Sequence, residues 1–184
     1  MKTQNTSQAP VIYIKLNPYL KEFLLHLEDA KGERLYPKEP IHFASKTRLR
    51  ILVDRFRRVP SSSYKIFIPK TREEKRRSLA IQLDIDENIK GDKYRTYIGE
   101  DSQCKIAKYI YNEMMTCAVE YIKEDLNLQR HLFPKNTPSL RSAYRSFFDA
   151  YGIESMDEDT LRKALERRNE LLPFQEVKKK LTKE

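Results

Sequence analysis

The spacing of apolar residues changes along the chain, and the first part alternates between strand and helix patterns. Residues 11–16 form a β-prone run, and Asn17 with Pro18 then supplies N-cap chemistry with proline at the first helical position. Apolar residues at helical spacing extend this first helix to about Asp29. Two prolines predict a loop over 33–44, in which 41–43 is a candidate short strand.

A second helix is predicted from Lys46 to about Val59, with Ser45 as its N-cap and Pro60 at its end. One side of this helix is apolar and comprises Leu49, Leu52, Val53 and Phe56. Basic residues occupy much of the remaining surface. We therefore expect one face to pack against a core and the other to carry cations.

Two strand patterns follow, at 64–69 and at 79–85, where apolar and polar residues alternate. The charged residues 71–77 lie between them, so the simplest topology is an antiparallel hairpin with an exposed, charged loop at its tip. Residues 84–92 are predicted to be a polar turn, and 94–98 is a candidate third strand.

The C-terminal half is predicted to be helical. Its longest helix runs from Gln103 to about Leu126, is capped by Ser102, and has an apolar stripe at nearly heptad spacing. The stripe comprises Ile106, Tyr109, Ile110, Met114, Cys117, Ala118, Tyr121 and Ile122. We expect this stripe to cover the core, because the strands and the first helix each have an apolar face. A linker at 130–138 then leads to two helices separated by Gly152.

These elements predict an α+β fold, in which a small antiparallel sheet is packed by helices and followed by a C-terminal helical hairpin. The predicted organisation is a disordered lead-in at 1–10, an α+β domain at 11–129, the helical hairpin at 139–172 and a basic tail at 173–184. No apolar stretch is long enough to span a membrane, and the polar N-terminus lacks the apolar core of a secretory signal.

The net charge of +9 is concentrated in one segment. Residues 46–77 contain 12 Lys and Arg against 3 Asp and Glu, whereas the rest of the chain contains 24 of each class. Such a cluster attracts polyanions, of which nucleic acid is the commonest in a cell. The candidate contacts are the basic residues of the second helix and of the hairpin loop: Lys46, Arg48, Arg50, Arg55, Arg57, Arg58, Lys70, Arg72, Lys75, Arg76 and Arg77.

A basic helix followed by a basic hairpin is also the order of elements in winged-helix DNA-binding proteins. The match is partial, since residues 30–44 do not clearly supply the additional helix that a winged helix requires. The alternative interpretation is a solvated helix face followed by a charged turn that protects a strand edge.

The C-terminal helix pair also allows two interpretations. Helix, glycine-containing turn and helix is the outline of a helix-turn-helix, and basic residues project from the second helix. However, the acidic residues 157–159 would lie where a recognition helix meets DNA, and they are good partners for the helix dipole. We favour a packing or oligomerising hairpin, with Phe148 buried and with Lys163 and Arg167 on its outer face.

No constellation of residues indicates catalysis, and we predict no catalytic residue, no metal site and no cofactor. His26, His42 and His131 are isolated, and the sequence has no glycine-rich phosphate loop. Asp84 and Asp86 could bind Mg²⁺ for phosphodiester cleavage, but a polar turn after a strand accounts for them.

Cys104 and Cys117 lie on one predicted helix and are separated by 13 positions. At about 1.5 Å of rise per residue they would be roughly 20 Å apart, which is too far for a disulfide. We therefore expect core thiols in a reducing compartment and place the protein in the cytoplasm.

Three segments of the second half carry a resemblance: YIGEDSQ at 97–103 with the long helix that follows, AYRSFFDAYGI at 143–153, and DTLRKA at 159–164. In these segments the chain resembles uncharacterised proteins of prophages and mobile elements of gut Bacteroidota. The resemblance implies a DNA-binding or regulatory protein of a mobile element, and it implies no site residue.

These observations predict a non-catalytic DNA-binding protein, a regulator or replication accessory of a mobile element. It would contact duplex DNA in preference to RNA through the basic helix and the basic hairpin loop. The alternative is an interaction or assembly protein that oligomerises, for example as a homodimer, through the long helix and the C-terminal hairpin. Salt-dependent DNA binding would distinguish the first from the second.

Overall fold

The computed structural model of the chain describes residues 10–44, 46–60, 65–83 and 96–168. The chain divides into two compact units, Met1–Ile110 and Tyr111–Glu184. The elements in chain order are β1 (Val11–Lys15), α1 (Pro18–His26), α2 (Arg48–Phe56), β2 (Arg57–Arg58), α3 (Arg72–Arg76), β3 (Ser78–Gln82), β4 (Tyr97–Ile98), α4 (Glu100–Leu132), α5 (Leu140–Ala150) and α6 (Glu158–Arg167). These elements confirm the predicted α+β class.

Strands β1 and β3 of the first unit pair in antiparallel register, from Val11 opposite Gln82 to Lys15 opposite Ser78. Apolar residues at alternate positions are buried along both strands, and each series continues to the residue that follows the strand. The buried residues are Ile12, Ile14, Leu16, Leu79, Ile81 and Leu83. This period of two gives the pair a single buried face. The predicted strand at 41–43 is reduced to a parallel bridge between Ile41 and Ile81.

The pairing of β1 with β3 shows that the predicted hairpin of 64–69 with 79–85 is wrong. Residues 65–70 form no regular secondary structure, and Ile68 is 58% exposed. Strand β1 offers β3 a continuous buried face, whereas Pro69 cannot donate a ladder hydrogen bond. Residues 65–83 therefore do not form the hairpin of a winged helix.

The segment 71–77, predicted as an exposed loop, contains helix α3. Thr71 and Glu74 form a reciprocal capping box: the Glu74 N–H donates to Thr71 Oγ1 over 3.1 Å, and the Thr71 N–H donates to Glu74 Oε2 over 2.9 Å. The sequence signature of this box, Thr-x-x-Glu, marks a helix N-terminus and was present at 71–74. All five residues of α3 are exposed, so only the predicted conformation was wrong.

Strand β2 continues directly from α2, and β4 leads into α4. Arg57 lies opposite Ile98 and Arg58 opposite Tyr97 in an antiparallel ladder. This ladder ties the C-terminal end of α2 to the N-terminal end of α4. It also confirms a strand within the predicted 94–98 region. Residues 94 and 95, the predicted turn at 84–92 and the predicted basic tail at 173–184 lie outside the described residues.

Helix α2 begins two residues later than predicted. Its N-cap is Thr47, whose Oγ1 accepts the Arg50 N–H over 3.2 Å and donates to the Ala44 carbonyl over 2.8 Å. Ser45, the predicted cap, lies outside the described residues. Leu49 and Val53 are buried, as expected for the apolar side of this helix.

Helix α4 is longer than predicted at both ends. It begins at Glu100, so Ser102 is a buried residue inside the helix and not its cap. It ends at Leu132, because Pro134 disfavours helical conformation in the residue before it. The stripe residues Ile106, Ile110, Met114, Ala118 and Ile122 are fully buried, which confirms that most of the stripe lies in a core.

The second unit contains the predicted helical pair, α5 and α6. Ser139 caps α5 by accepting the Ser142 N–H over 3.2 Å, and Asp157 caps α6 by accepting the Thr160 N–H over 2.6 Å. Gly152 turns the chain between them with φ +54°. Buried residues from both helices pack together: Ala143, Tyr144, Phe147, Phe148, Leu161 and Leu165.

Candidate nucleic-acid interface

The eleven basic residues predicted as contacts separate by exposure. Nine of them are exposed: Lys46, Arg48, Arg55, Arg58, Lys70, Arg72, Lys75, Arg76 and Arg77. Arg57 is half-buried, and Arg50 is 6% exposed. The structure therefore places most, but not all, of the predicted cations where a polyanion could reach them.

Arg50 and Arg57 converge on the one acidic residue of α2. Arg50 Nε donates to Asp54 Oδ2 over 2.7 Å, and Arg57 lies 3.8 Å from Asp54 Oδ1. A buried guanidinium needs such a partner, because burial of an unpaired charge costs on the order of several kcal/mol. Arg50 thus stabilises α2 and does not present its charge at the surface.

The solvent-facing sides of α2 and β2 carry cations that are not neutralised. Arg55 and Arg58 make no ion pair within the described part of the chain. Arg48 lies over the Tyr109 ring, with 5.3 Å between its Cζ and the ring centroid. This stacking orients the guanidinium while its charge remains exposed.

A second cation–π contact joins α2 to α4. Lys105 Nζ lies 5.7 Å from the centroid of the Phe56 ring, near the opposite end of α2 from Arg48. Together with the β2–β4 ladder, the two contacts place α2 antiparallel to the first turns of α4. The exposed side chains of Lys105 and Lys108 lie on these turns. Neither lysine was predicted as a contact, because both lie outside the basic cluster at 46–77.

Helix α3 concentrates a second set of exposed cations. Arg72, Lys75 and Arg76 make no side-chain ion pair with a described residue. Arg77 Nε lies 2.7 Å from Glu73 Oε1, but both side chains are mostly in solvent, where such a pair is weak. The Thr71 and Lys70 backbone N–H groups hold the pKa of Glu74 below its ordinary value, so its charge serves the helix cap.

A half-buried lysine, Lys21, fixes the C-terminal end of α3. Lys21 Nζ donates to the Lys75 carbonyl over 2.9 Å and to the Ser78 carbonyl over 3.0 Å, and it also pairs with Glu39. Its side chain is 15% exposed, and these three acceptors match its three donors. Lys21 is distant in sequence from all three partners, so no local pattern could have identified it.

The basic residues of the second unit have a different arrangement. Arg145 Nε donates to Glu158 Oε1, and Arg141 Nε donates to Glu158 Oε2 over 2.8 Å. These hydrogen bonds hold the pKa of Glu158 below its ordinary value, and the bond from Arg145 has the larger effect. Arg162 contacts both Asp159 and Glu166.

This pairing agrees with the packing interpretation of the helical pair. Phe148 is buried, and Lys163 and Arg167 are exposed, as predicted. Acidic side chains hold most of the other basic ones, and the α6 N-terminus that a DNA-reading helix would use is acidic.

Among the described residues, no group of three or more His, Cys, Asp and Glu side chains is arranged to hold a metal ion. Asp84 and Asp86 lie outside those residues. None of the helices in the described part of the chain is long and apolar enough to cross a membrane.

Comparison with known proteins gives no assignment: no protein-family model matches the chain, and no curated protein or solved structure is significantly similar to it.

Proposed function

We propose that the chain is a non-catalytic DNA-binding protein whose first unit contacts the phosphates of duplex DNA. The supporting observation is the set of exposed cations on and beside α2 and α3: Lys46, Arg48, Arg55, Arg58, Lys70, Arg72, Lys75 and Arg76. Phosphate contacts of this kind supply affinity without sequence information. The sequence resemblance supports a role as regulator or replication accessory of a mobile element, and the two free cysteines support a place in the cytoplasm.

The experiment that tests this proposal is a salt titration of DNA binding. The dissociation constant for a fluorescent 20-bp duplex is measured by anisotropy between 50 and 200 mM salt, for the parent and for the triple variant Arg72→Ser, Lys75→Ser, Arg76→Ser. Each phosphate contact contributes about −0.9 to the slope of log K against log salt. The triple variant should flatten the slope by about 2–3 and weaken binding on the order of 10²-fold near 0.1 M salt.

The matched control is Lys163→Ser with Arg167→Ser, which removes exposed cations from the second unit. Its affinity should stay within about twofold of the parent, because few phosphates are expected near an electrically balanced surface. Parental affinity and slope in the triple variant would exclude α3 as a contact surface. Absence of salt-dependent binding by the parent would refute the proposal as a whole.

One observation favours assembly as a second candidate function. Leu128, Leu132 and Phe133, at the C-terminal end of α4, are exposed large apolar residues, and the two leucines lie one turn apart on the same side. Sedimentation of the parent and of Leu128→Ser with Leu132→Ser tests this candidate. A defined oligomer that the variant loses, without DNA retention, would favour assembly over DNA binding.

A further inference from the structure

Ile51 is an apolar side chain at the centre of the exposed basic face of α2. It is 57% exposed on a nine-residue helix whose opposite side buries Leu49 and Val53. Burial of an isoleucine is favourable, so a surface that leaves it in water gains from covering it.

Two arginines bracket Ile51 on the same side of the helix. Arg48 precedes it by three positions and Arg55 follows it by four, the spacings that bring side chains together on a helix surface. The two arginines are seven positions apart, which is about 10.5 Å along the helix axis. The major groove of B-DNA is about 12 Å wide and admits an α-helix, and long basic side chains at two positions along such a helix can reach phosphates that border the groove.

Asp54 also faces solvent on α2, and its charge must be considered in this placement. Arg50 and Arg57 already approach its carboxylate over 2.7 Å and 3.8 Å. The pair of arginines compensates the carboxylate, so Asp54 does not oppose the approach of phosphates as an unpaired acid would.

On the basis of the DNA binding proposed above, we infer that α2 enters the major groove and that Ile51 contacts thymine methyl groups there. The side chain of isoleucine has no donor or acceptor, so it cannot recognise the hydrogen-bonding edges of bases. The one apolar group on the major-groove edge of an A·T or G·C pair is the C5-methyl of thymine. The protein therefore prefers thymine-containing DNA, and it prefers DNA to RNA.

Replacement of thymine by uracil tests this inference, because it removes the methyl group and leaves the base-pairing groups unchanged. The probes are a 20-bp alternating A·T duplex and the same duplex with deoxyuridine in place of thymidine. The parent should bind the thymine duplex about fourfold more tightly, the factor that corresponds to burial of one methyl group. Ile51→Ala should reduce this ratio to about one.

Ile68→Ala is the matched control, since Ile68 is equally exposed in the same unit but lies outside α2. It should keep the parental preference. Neither position is buried, and alanine has the higher helix propensity at position 51, so both variants should fold.

Equal affinity of the parent for the two duplexes would overturn the inference and leave salt-dependent DNA binding intact. An undiminished thymine preference in Ile51→Ala would also overturn it, because another residue or the shape of the duplex would then account for the preference. Absence of binding to either duplex would instead refute the proposed function.

Discussion

Positive charge has different surroundings in residues 46–77 and in the C-terminal helical pair. The first segment contains 12 basic and 3 acidic residues, and residues 141–168 contain 6 of each. In the helical pair, one carboxylate, that of Glu158, pairs with both Arg141 and Arg145. In the first segment, Arg55, Arg58 and the cations of α3 have no acidic partner within the described residues. Whether a basic residue can meet a polyanion thus depends on the placement of nearby acids.

The largest expected effect concerns the packing of the helical pair. Phe147 is fully buried, and its ring centroid lies 5.9 Å from that of Tyr121 and 5.0 Å from that of Tyr151. Phe147→Ala should lower the free energy of unfolding by about 3–5 kcal/mol, because it removes a buried ring and leaves a cavity. Urea denaturation measures this change. A loss below about 1 kcal/mol would contradict the packing role of these helices.

Lys21 is the counterexample within the first unit, because two backbone carbonyls and the Glu39 carboxylate bind its ammonium group. Lys21→Met should destabilise the protein by about 1–3 kcal/mol, since it leaves two carbonyls and a carboxylate without their donor. Urea denaturation should show this loss. Lys31→Met, at an exposed position, is the control and should change stability by less than about 0.5 kcal/mol. Equal effects of the two variants would mean that Lys21 does not anchor α3.

The acid dependence of stability should report the pairing in the second unit. The pKa of Glu158 is lowered by Arg145 and Arg141, so its contribution to stability is present above the ordinary glutamate pKa of about 4.3. The contribution is lost as pH falls through the lower pKa of the folded state. Glu158→Gln should therefore lower the unfolding midpoint at pH 7 and make the decline below about pH 4.5 shallower.

Glu124→Gln, an exposed position on α4, is the control for this measurement and should leave the acid profile unchanged. An identical acid profile for the parent and Glu158→Gln would show that the pairing contributes nothing to stability.

The smallest effect compares the two cysteines of α4. Cys104 is exposed, whereas burial, with Glu120 and Glu113, raises the pKa of Cys117. The thiolate is the reactive form, so Cys104 should react with a thiol reagent at pH 8 faster than Cys117, on the order of tenfold. Single-cysteine variants distinguish the two rates, and the rates should converge in denaturant. Equal rates in the native protein would contradict the partial burial of Cys117.

The elements of the fold were largely predictable, but their pairing was not. Helices α1, α2, α4, α5 and α6 have apolar periodicity, and Asn17, the N-cap residue of α1, was identified from the sequence. The partner of β3 was missed, because a local pattern of alternation does not encode which distant strand completes a sheet. The two strand-like runs around 71–77 suggested a hairpin, although the capping box in 71–74 marked a helix.

The candidate site was predictable to the extent that it depends on composition. Nine of the eleven basic residues predicted as contacts are exposed, since a charged side chain is rarely buried without a partner. The pairing of Arg50 with Asp54 could also have been anticipated, because opposite charges four residues apart on a helix interact. The contribution of Lys21 depends on acceptors far away in the sequence, and only the folded structure brings them together.

Helix α4 belongs to both compact units, since the boundary between Ile110 and Tyr111 falls within its 33 residues. A fragment that ended there would break continuous backbone hydrogen bonding and expose Ile110, which is buried in the intact chain. Gene duplication or recombination that separated the two units at this boundary would therefore yield incomplete products. The non-helical residues 133–139 are the better point for exchange, because insertion there leaves both flanking helices whole. Because α4 crosses the boundary, the two units should be inherited together as one continuous chain.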